Sequence, residues 1–322
     1  MNSKNLNVLF ITNMFPYPKS PNFGIFVKEQ IDCLVANFGI FAKTFFINPQ
    51  EKGNIVYLKS IYKIFKTLKK HPEIDIIHIH YGLSALFLLF FKPKQKIFVT
   101  FHGSDILKKQ NRYIQVIISK YIAKKVDKAF ILNDEMESIM KKLKVPYEVL
   151  PCGVDADFFT IDSNGREKTA NSRLIVFPGD PTRDVKNYPL FKQVIAILGA
   201  KSQFSIQTEC IHNMSRAQVK ELLNRADCLL MTSISEGSPQ VIKEALACNT
   251  PVVSVPVGDV DVVIKNIPNC YISSNYKPED LAVLTSKAIE TQDAPIRQAF
   301  LKKGRYENKM VCQKIYQNYL SV

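Results

Sequence analysis

Short runs of β-branched and aromatic residues alternate along the chain with longer segments of helical character. This alternation predicts parallel sheets that are covered by crossover helices, and therefore an α/β fold. The predicted strands form two series, separated by a polar stretch, Ser163–Ser172, that has no apolar periodicity. The first series is 6–12, 41–47, 74–80, 96–101, 128–132 and 147–150, and the second is 174–178, 204–207, 228–232, 251–255 and 270–272. Because 322 residues suffice for two domains, we expect two doubly wound domains joined between residues 155 and 172.

The positive charge is concentrated in the first half of the sequence. Residues 1–150 contain 23 basic and 11 acidic side chains, whereas residues 151–322 contain 20 and 18, within a total net charge of +14. An excess of this kind favours an anionic partner for the first half. The sequence contains no recognised nucleic-acid-binding motif, so nucleic acid is not expected to be that partner.

Cysteine usage and hydropathy indicate a cytoplasmic protein without a transmembrane helix. The seven cysteines are never spaced as Cys-x-x-Cys, so neither a disulfide framework nor a zinc site is predicted. The N-terminal apolar run lacks a small-residue cleavage site, and it is predicted to be the first strand rather than a signal peptide. The longest uncharged stretch, Ile76–Phe91, is shorter than the roughly 20 residues that a membrane-spanning helix needs.

The loops that follow the strands are the candidate binding segments, because ligands of open α/β sheets bind beyond the carboxyl ends of the strands. Gly24 lies in the first of these loops, HYG and HGSD follow the third and fourth strands, and PGDPTRDVKN and SISEGSP lie in the second half. The chain has 12 glycines but no Gly-x-Gly, so neither a dinucleotide fingerprint nor a Walker loop is predicted.

The most specific string is SEGSPQVIKEALACNTP at residues 235–251, between two predicted strands. Ser238 is predicted to cap a helix whose first residue is Pro239, since proline loses no hydrogen bond at that position. Gly237 allows a ligand to approach the backbone closely. The start of such a helix presents N–H groups and the positive end of a dipole, which favour a phosphate or a carboxylate.

Two carboxylates flank this helix start. Glu236 precedes it, and Glu244 lies about 9 Å beyond Ser238 along the helix axis. Glutamates at this spacing often lie on a solvated helix face, but their position after a strand, within EGSP, favours a binding site. The arrangement suits a nucleotide sugar, which presents sugar hydroxyls, a diphosphate and then a ribose.

In these motifs the sequence resembles the retaining glycosyltransferases of family 4, which have the GT-B fold. The resemblance covers essentially the whole chain. It is strongest in bacterial enzymes of the teichuronic-acid type, which build surface polysaccharides and carry a similar EGSP, KEALAC and PVVSV run. The matching motifs are Gly24, HxHYG at 78–82, FHGSD at 101–105, PCGVDADFF at 151–159, the Arg and Lys of PTRDVKN, and Glu-x7-Glu at 236–244.

The resemblance implies two Rossmann-like domains that face each other across a cleft. We expect an acceptor-binding domain at residues 1–155, a nucleotide-sugar-binding domain at 156–304, and a C-terminal helix at 305–322 that packs back towards the first domain. The implied reaction moves a hexose from a nucleotide sugar to a glycan or lipid-linked acceptor, with retention at the anomeric carbon. The expected donor is a UDP-sugar. Two alternatives remain open: an isomerase related to nucleotide-sugar 2-epimerases, and a non-catalytic module that binds a nucleotide or glycan.

The resemblance also implies roles for individual residues. Glu244 binds the ribose hydroxyls, and Glu236 binds the hydroxyls of the donor sugar. Arg183 and Lys186 neutralise the leaving diphosphate, as fixed cations do where negative charge develops. The remaining residues expected at the donor are Gly24, Gly237, Ser238 and Pro239.

A histidine on the other domain completes the implied site. His102 in FHGSD resembles the family histidine beside the donor sugar, where it hydrogen-bonds a hydroxyl or the departing group. His78 and His80 lie on one predicted strand, and we expect at least one of them to face the sheet packing. His80 is the one assigned to the acceptor side.

No metal and no cofactor are expected. Asp155 and Asp157 form one Asp-x-Asp string, and Asp259 and Asp261 form another. The first falls at the interdomain crossing and the second in a loop after a strand, so neither is predicted to bind a metal.

The segment Tyr57–Lys70 combines an apolar stripe with flanking lysines, a composition typical of a helix that lies on an anionic membrane. The stripe alone also fits an ordinary helix packed on a domain core. Further basic residues lie between Lys92 and Lys125. The charge predicts peripheral association with the inner membrane face, where a lipid-linked acceptor would reside. The stripe comprises Leu58, Ile61, Ile64, Phe65 and Leu68.

Overall fold

The computed structural model describes residues 5–107, 113–162, 171–291 and 293–321, and it contains every predicted strand. The strands are β1 (Asn7–Thr12), β2 (Phe41–Phe46), β3 (Ile76–His80), β4 (Lys96–Thr100), β5 (Lys128–Ile131), β6 (Tyr147–Val149), β7 (Ser172–Phe177), β8 (Ser205–Cys210), β9 (Cys228–Met231), β10 (Val252–Ser254) and β11 (Tyr271–Ile272). Their ends differ from the predicted ends by no more than three residues.

Helices connect most of these strands. The α-helices are α1 (Ile25–Phe38), α2 (Pro49–Lys52), α3 (Ile55–Lys70), α4 (Tyr113–Ala123), α5 (Asp134–Leu143), α6 (Tyr188–Lys201), α7 (Arg216–Arg225), α8 (Gln240–Ala247), α9 (Val260–Ile264), α10 (Pro278–Glu290), α11 (Ile296–Leu301) and α12 (Asn308–Leu320). Two 3₁₀ helices span Gly82–Leu89 and Asp184–Lys186.

The chain divides into two compact units. Unit 1 comprises Met1–Cys152 and Asn308–Val322, and unit 2 comprises Gly153–Glu307. The division lies a few residues before the expected boundary at 155, and α12 belongs to unit 1. Of the polar stretch 163–172, residues 163–170 lie outside the described residues.

Unit 1 is built on a six-stranded parallel sheet with the order β2-β1-β3-β4-β5-β6. Successive residues of a strand point to opposite faces, and accordingly the buried apolar residues form two cores. One core contains Ile77 and Ile79 and packs against α3, the 3₁₀ helix Gly82–Leu89, α4 and α5. The other contains Ile76 and packs against α1 and α12.

Unit 2 has a five-stranded parallel sheet with the order β11-β10-β9-β7-β8 and one extensive core. The strand order reverses between β7 and β9, because β8 lies on one side of β7 and the later strands lie on the other. Unit 1 has the same kind of reversal between β1 and β3. Ligands of doubly wound sheets bind at this point, beyond the carboxyl ends of the strands.

The structure corrects the prediction for the lysine-rich segment. The helix is present as α3, but the predicted apolar stripe does not lie on one side of it. Ile64 is buried in the core and Ile61 and Leu68 are half-buried, whereas Leu58 and Phe65 are exposed. The helix therefore packs on the core through one face and exposes apolar side chains on another.

No helix within the described residues is both long enough and apolar enough to cross a membrane.

Candidate active site

In unit 2, two oppositely charged side chains meet where the strand order reverses. Lys186 follows β7 and Glu236 follows β9. The Nζ of Lys186 donates a hydrogen bond of 2.8 Å to Oε1 of Glu236, and both side chains are largely shielded from solvent. The two predicted binding loops therefore meet, because the carboxyl ends of neighbouring parallel strands lie at one edge of the sheet.

The turn that carries Lys186 is fixed to the end of β9 by the backbone. Oγ1 of Thr232 donates to the carbonyl oxygen of Lys186, and the amide of Ile234 donates to the carbonyl of Val185. Gly179 has φ +143°, and a Cβ at this position would lie 3.0 Å from Cε of Lys186. The glycine after β7 therefore lets the lysine side chain pass close to the chain on its way to Glu236.

The start of the following helix differs from the prediction. Helix α8 begins at Gln240, with Pro239 in the N-cap position and no side-chain cap, so Ser238 does not cap it. The hydroxyl of Ser238 instead accepts a hydrogen bond of 2.7 Å from Nζ of Lys243. A fully buried ammonium needs such acceptors, and this requirement outweighs the local capping preference of serine.

The cluster of Lys243, Ser238 and Asp259 supports the loop that contains Glu236. Burial raises the pKa of Asp259, and the charge of Lys243 opposes that rise. Oδ1 of Asp259 is buried and has no hydrogen-bond partner among the described residues. A Cβ on Gly258, which has φ +59°, would lie 2.6 Å from the carbonyl oxygen of Gly237, so the two loops are in backbone contact. The sequence pattern predicted no role for Lys243.

The second glutamate of the motif pairs with an arginine that the sequence analysis missed. Glu244 is almost fully buried on α8, and its Oε1 lies 2.8 Å from Nη1 of Arg216. Arg216 is the first residue of α7, and its guanidinium lies 4.6 Å from the ring centroid of Phe159. The carboxylate of Glu244 is thus held in a defined position by a cation that is itself stacked on a buried ring.

The other predicted cation, Arg183, has an exposed side chain. Hydrogen bonds from Thr182 hold the pKa of Asp180 below its usual value, and the charge of Arg183 makes a smaller contribution in the same direction. Of the two predicted cations, Lys186 is therefore the one that the structure pairs with Glu236.

The two Asp-x-Asp strings have local structural roles. Oδ1 of Asp155 accepts hydrogen bonds from the amides of Asp157 and Phe158 and so closes its own turn. Asp259 is buried beside Lys243, whereas Asp261 is exposed on α9. Within the described residues, no three or more His, Cys, Asp or Glu side chains are grouped so as to hold a metal ion.

In unit 1, three histidines lie side by side at the carboxyl edge of the sheet. His78 and His80 point to the same face of β3, with ring centroids 4.6 Å apart, and both are fully buried, as expected for at least one of them. Residues i and i+2 of a strand share a face. Nδ1 of His80 lies 3.2 Å from Nε2 of His102, and His78 hydrogen-bonds Thr100 and Tyr319.

These histidines are held neutral by their surroundings. Burial lowers the pKa of His78 and that of His102 to about 3, and it lowers the pKa of His80 well below its usual value. The Nε2 of His80 is buried and has no partner among the described residues. The half-buried His102 is the most accessible of the three, so it is the histidine that a ligand of unit 1 can reach.

The loops around His102 are fixed by Asp105 and Gly24. Amides of Gly82 and His102 donate to the carboxylate of Asp105, whose burial nevertheless raises its pKa to about 6. Gly24, at φ +65°, caps α1, and a Cβ there would lie 2.3 Å from the carbonyl carbon of Met14. Glycine is therefore required at position 24 by the packing of the chain itself, whatever the loop binds.

Comparison with known protein families decides the class of this site. A model described as glycosyltransferase family 4 matches residues 24–158, and a model described as glycosyl transferases group 1 matches residues 191–306. The chain is therefore a glycosyltransferase, and its residues 24–158 match family 4. Because both models describe glycosyltransferases, they favour sugar transfer over the isomerase and over the non-catalytic module.

Two curated relatives of this glycosyltransferase match at low identity over most of their length. An uncharacterised glycosyltransferase of Methanocaldococcus jannaschii is 24% identical over 271 residues, covering 79% of this chain and 76% of the relative. A glycosyltransferase of Bacillus subtilis, provisionally assigned to teichuronic acid biosynthesis, is 22% identical. The match covers 79% of this chain and 82% of the relative.

Solved structures confirm the GT-B fold. An Anabaena protein in complex with UDP superposes with a TM-score of 0.73 at 14% identity, covering 98% of this chain and 100% of that chain. The sucrose-phosphate synthase of Thermosynechococcus elongatus gives a TM-score of 0.73 at 13% identity, with 99% of each chain covered.

The buried lysine of the Ser238 cluster yields a stability prediction. We expect Lys243→Met to lower the free energy of unfolding by about 3–5 kcal/mol, because removing one member of a buried charged cluster leaves the others uncompensated. Urea unfolding followed by circular dichroism measures the loss, and Lys265→Met, at an exposed position, is the control. A loss no larger than that of the control would show that the buried ammonium is dispensable.

The neutral histidines yield a pH prediction. A folded-state pKa below the unfolded value means that the unfolded chain binds more protons, so stability falls as the pH drops from about 6.5 towards 3. We expect His78→Gln to reduce the slope of the unfolding free energy against pH by up to about 1.4 kcal/mol per pH unit. Urea unfolding between about pH 5 and pH 6 measures this slope.

The control for this prediction is Ile76→Val at another buried position of β3, which removes no titratable group and should leave the slope of the unfolding free energy against pH unchanged. If His78→Gln and Ile76→Val have the same slope as the parent, His78 does not carry the predicted shift.

Proposed function

We propose that the protein transfers a sugar from a UDP-sugar to a glycan or lipid-linked acceptor with retention of the anomeric configuration. The observation that carries the proposal is the set of two ion pairs, Lys186–Glu236 and Arg216–Glu244, at the carboxyl edge of the unit 2 sheet. The Anabaena structural relative was solved with UDP and also with UDP-glucose, which supports uridine as the base of the donor.

The donor would bind along the segment from Glu236 to Glu244. Glu244 retains acceptor capacity beside Arg216, and we assign it to the two ribose hydroxyls. Glu236 would accept hydrogen bonds from hydroxyls of the donor sugar. The turn Gly237–Pro239 lies between the two carboxylates and precedes α8, so its backbone faces the expected position of the diphosphate.

The reaction would proceed on this donor without a covalent enzyme intermediate. The acceptor hydroxyl forms a bond to the anomeric carbon on the face from which the bond to the diphosphate oxygen breaks. The diphosphate leaves with the bonding electron pair, and the acceptor proton passes to the departing oxygen. Lys186 would stabilise the negative charge that develops on the diphosphate, with Arg183 as the outer cation of the same turn.

The family resemblance adds residues of unit 1 to the proposal. His102 would hydrogen-bond the donor sugar or the departing group as a neutral imidazole, and the fully buried His80, which contacts His102, would support it on the acceptor side. Gly24 would allow the first loop of unit 1 to approach the diphosphate. No metal enters this scheme, because Lys186, Arg183 and the backbone amides would provide the charge stabilisation.

An acceptor at an anionic membrane would account for the charge of unit 1. We propose that the protein acts at the inner membrane face in the synthesis of a bacterial surface polysaccharide, as the provisional assignment of the Bacillus subtilis relative supports. Residues 1–150 carry 23 basic and 11 acidic side chains, and an anionic leaflet attracts basic residues by about 1 kcal/mol each near its surface.

Substitution of Glu244 tests the donor site by equilibrium binding. We expect Glu244→Ala to weaken both UDP and the UDP-sugar at least about tenfold, because hydrogen bonds to a charged group contribute roughly 1.5–3 kcal/mol and ribose is common to both ligands. Isothermal titration calorimetry measures the two affinities. Glu209→Ala is the matched control, since Glu209 also pairs with an arginine of α7, Arg225, but at an exposed position. Unchanged UDP affinity would exclude Glu244 from the site.

Substitution of Lys186 tests the chemical step. We expect Lys186→Ala to lower kcat by about 100-fold or more with a smaller effect on KM, because its charge is needed most as the diphosphate leaves. Steady-state kinetics with radiolabelled donor separates the two constants, and Lys192→Ala on the exposed side of α6 is the control. A raised KM with an unchanged kcat would assign Lys186 to ground-state binding alone.

The same assay tests metal independence. Turnover by the parent protein should persist in EDTA. If EDTA abolishes turnover and manganese restores it, the scheme without a metal is wrong.

A further inference from the structure

Helix α3 exposes a stripe of large apolar side chains on the side that faces away from the unit 1 core. Ile55, Leu58, Tyr62 and Phe65 recur at helical spacing, and Tyr62 is 62% exposed. The buried Ile64 lies on the opposite side of the helix and packs on the sheet. The exposed stripe is therefore additional to the stripe that holds α3 in the fold.

Lysines cover the rings of this stripe. Nζ of Lys66 lies 4.6 Å from the ring centroid of Tyr62, and Nζ of Lys69 lies 4.6 Å from that of Phe65. Helix α3 contains no acidic residue. Lysines of this kind bury their stems along apolar surface and extend their ammonium groups beyond it.

Helix α4 repeats the arrangement. Ile114, Ile117 and Tyr121 lie at helical spacing and are each more than half exposed, with Ile114 at 74%. Nζ of Lys125 lies 4.9 Å from the ring centroid of Tyr121, and α4 also contains no acidic residue. The inner side of α4 packs on the same core as α3, through Ile122.

The segment that follows the 3₁₀ helix Gly82–Leu89 connects the two stripes. The ring of Phe91 packs edge-on against Phe65 of α3 with centroids 5.5 Å apart, and the neighbouring Phe90 is 64% exposed. Phe90 and Phe91 also line a groove together with Lys124 and Lys125 at the end of α4. The stripe of α3, Phe90 and the stripe of α4 thus lie on one side of the unit 1 sheet, which we call the α3–α4 face.

We propose that the α3–α4 face binds an anionic lipid bilayer by inserting its apolar side chains while its lysines contact lipid phosphates. This inference deepens the membrane association proposed above and rests on it. Single exposed apolar residues are ordinary, but here they form continuous stripes flanked by lysines, the composition of helices that lie in the membrane interface. Stable attachment needs two signals, and this face provides both apolar insertion and positive charge.

The bilayer is favoured over a protein partner by the charge pattern. Phosphate groups are complementary to a surface whose two helices carry lysines and no acidic residues. Tyrosine and phenylalanine beside lysine suit the boundary between headgroups and acyl chains, where the ring is buried and the charge stays in water.

The experiment compares vesicle binding of the full chain with that of charge-neutral and charge-removing variants. Vesicles of phosphatidylcholine with phosphatidylglycerol, and vesicles of phosphatidylcholine alone, are sedimented with protein at low and at high salt. The variant Ile114→Gln with Ile117→Gln removes apolar surface. The lysine variant removes charge by changing four residues to Gln: Lys63, Lys66, Lys69 and Lys70. The control, Val35→Gln with Met310→Gln, changes exposed apolar residues of α1 and α12, which pack on the other face of the sheet.

We expect the parent to bind anionic vesicles far better than neutral ones and to retain part of its binding at high salt, because insertion is not screened. The lysine variant should lose about tenfold or more in affinity at low salt. The Ile114 and Ile117 variant should bind several-fold more weakly than parent and control, with little binding left at high salt. Circular dichroism confirms that each variant is folded.

Three results would overturn the inference, and they are distinguishable. If the parent binds anionic vesicles but the Ile114 and Ile117 variant binds equally well, insertion through α4 is wrong while the membrane association survives. If the parent binds no anionic vesicles, both the insertion of the α3–α4 face and the membrane association are wrong. Titration with UDP still tests the catalytic proposal in that case. If the apolar variant instead lowers the mass of an oligomer in analytical ultracentrifugation with vesicle binding unchanged, the face joins two copies of the chain.

Discussion

The ion pair between Lys186 and Glu236 is the contact on which the unit 2 site depends. It connects the segments after β7 and β9, the two strands between which the order of the sheet reverses. Both side chains are shielded from solvent, so each compensates a charge that would otherwise be costly to bury. The backbone is shaped around this pair: Gly179 gives the lysine room, and Gly258 lies against the carbonyl of Gly237 next to Glu236. A diphosphate sugar presents both an anion and hydroxyl groups, and it can therefore satisfy the two charged groups together.

The sequence was sufficient to predict those features of the structure that depend on local residue patterns. Buried parallel strands need apolar β-branched runs, and for that reason all eleven strands could be located to within a few residues. The position of Lys186 and Glu236 followed from the rule that strand ends share one edge of the sheet. The start of α8 could not be located this way. The hydroxyl of Ser238 accepts a hydrogen bond from the buried Lys243, and this contact is favoured over the capping position that serine prefers locally.

Features that depend on tertiary contacts could not be predicted from the sequence. Arg216 lies 28 positions before Glu244 and carries no motif, so only the fold shows that the two pair. Lys243 gave no such signal either, since Gln240, Lys243 and Glu244 lie on one side of α8 in a pattern that is typical of a solvated face, and only the fold shows that the lysine is buried. The shared direction of His78 and His80 follows from the two-residue period of a strand, whereas their contacts with Tyr319 and His102 depend on the fold.

The charge asymmetry between the halves of the chain has a local physical origin. In unit 2, cations of the site and of α7 are matched by carboxylates, as in Lys186–Glu236, Arg216–Glu244 and Arg225–Glu209. In the described part of unit 1, ion pairs involve lysines of other elements, such as Lys28 and Lys141, while Lys66 and Lys69 of α3 lie over aromatic rings. An aromatic ring attracts a cation without neutralising it, so the positive potential of α3 and α4 remains directed at solvent. Part of the excess charge of residues 1–150 thus lies on α3 and α4, next to apolar side chains that water solvates poorly. A partner that satisfies both features has to be anionic at its surface and apolar beneath it.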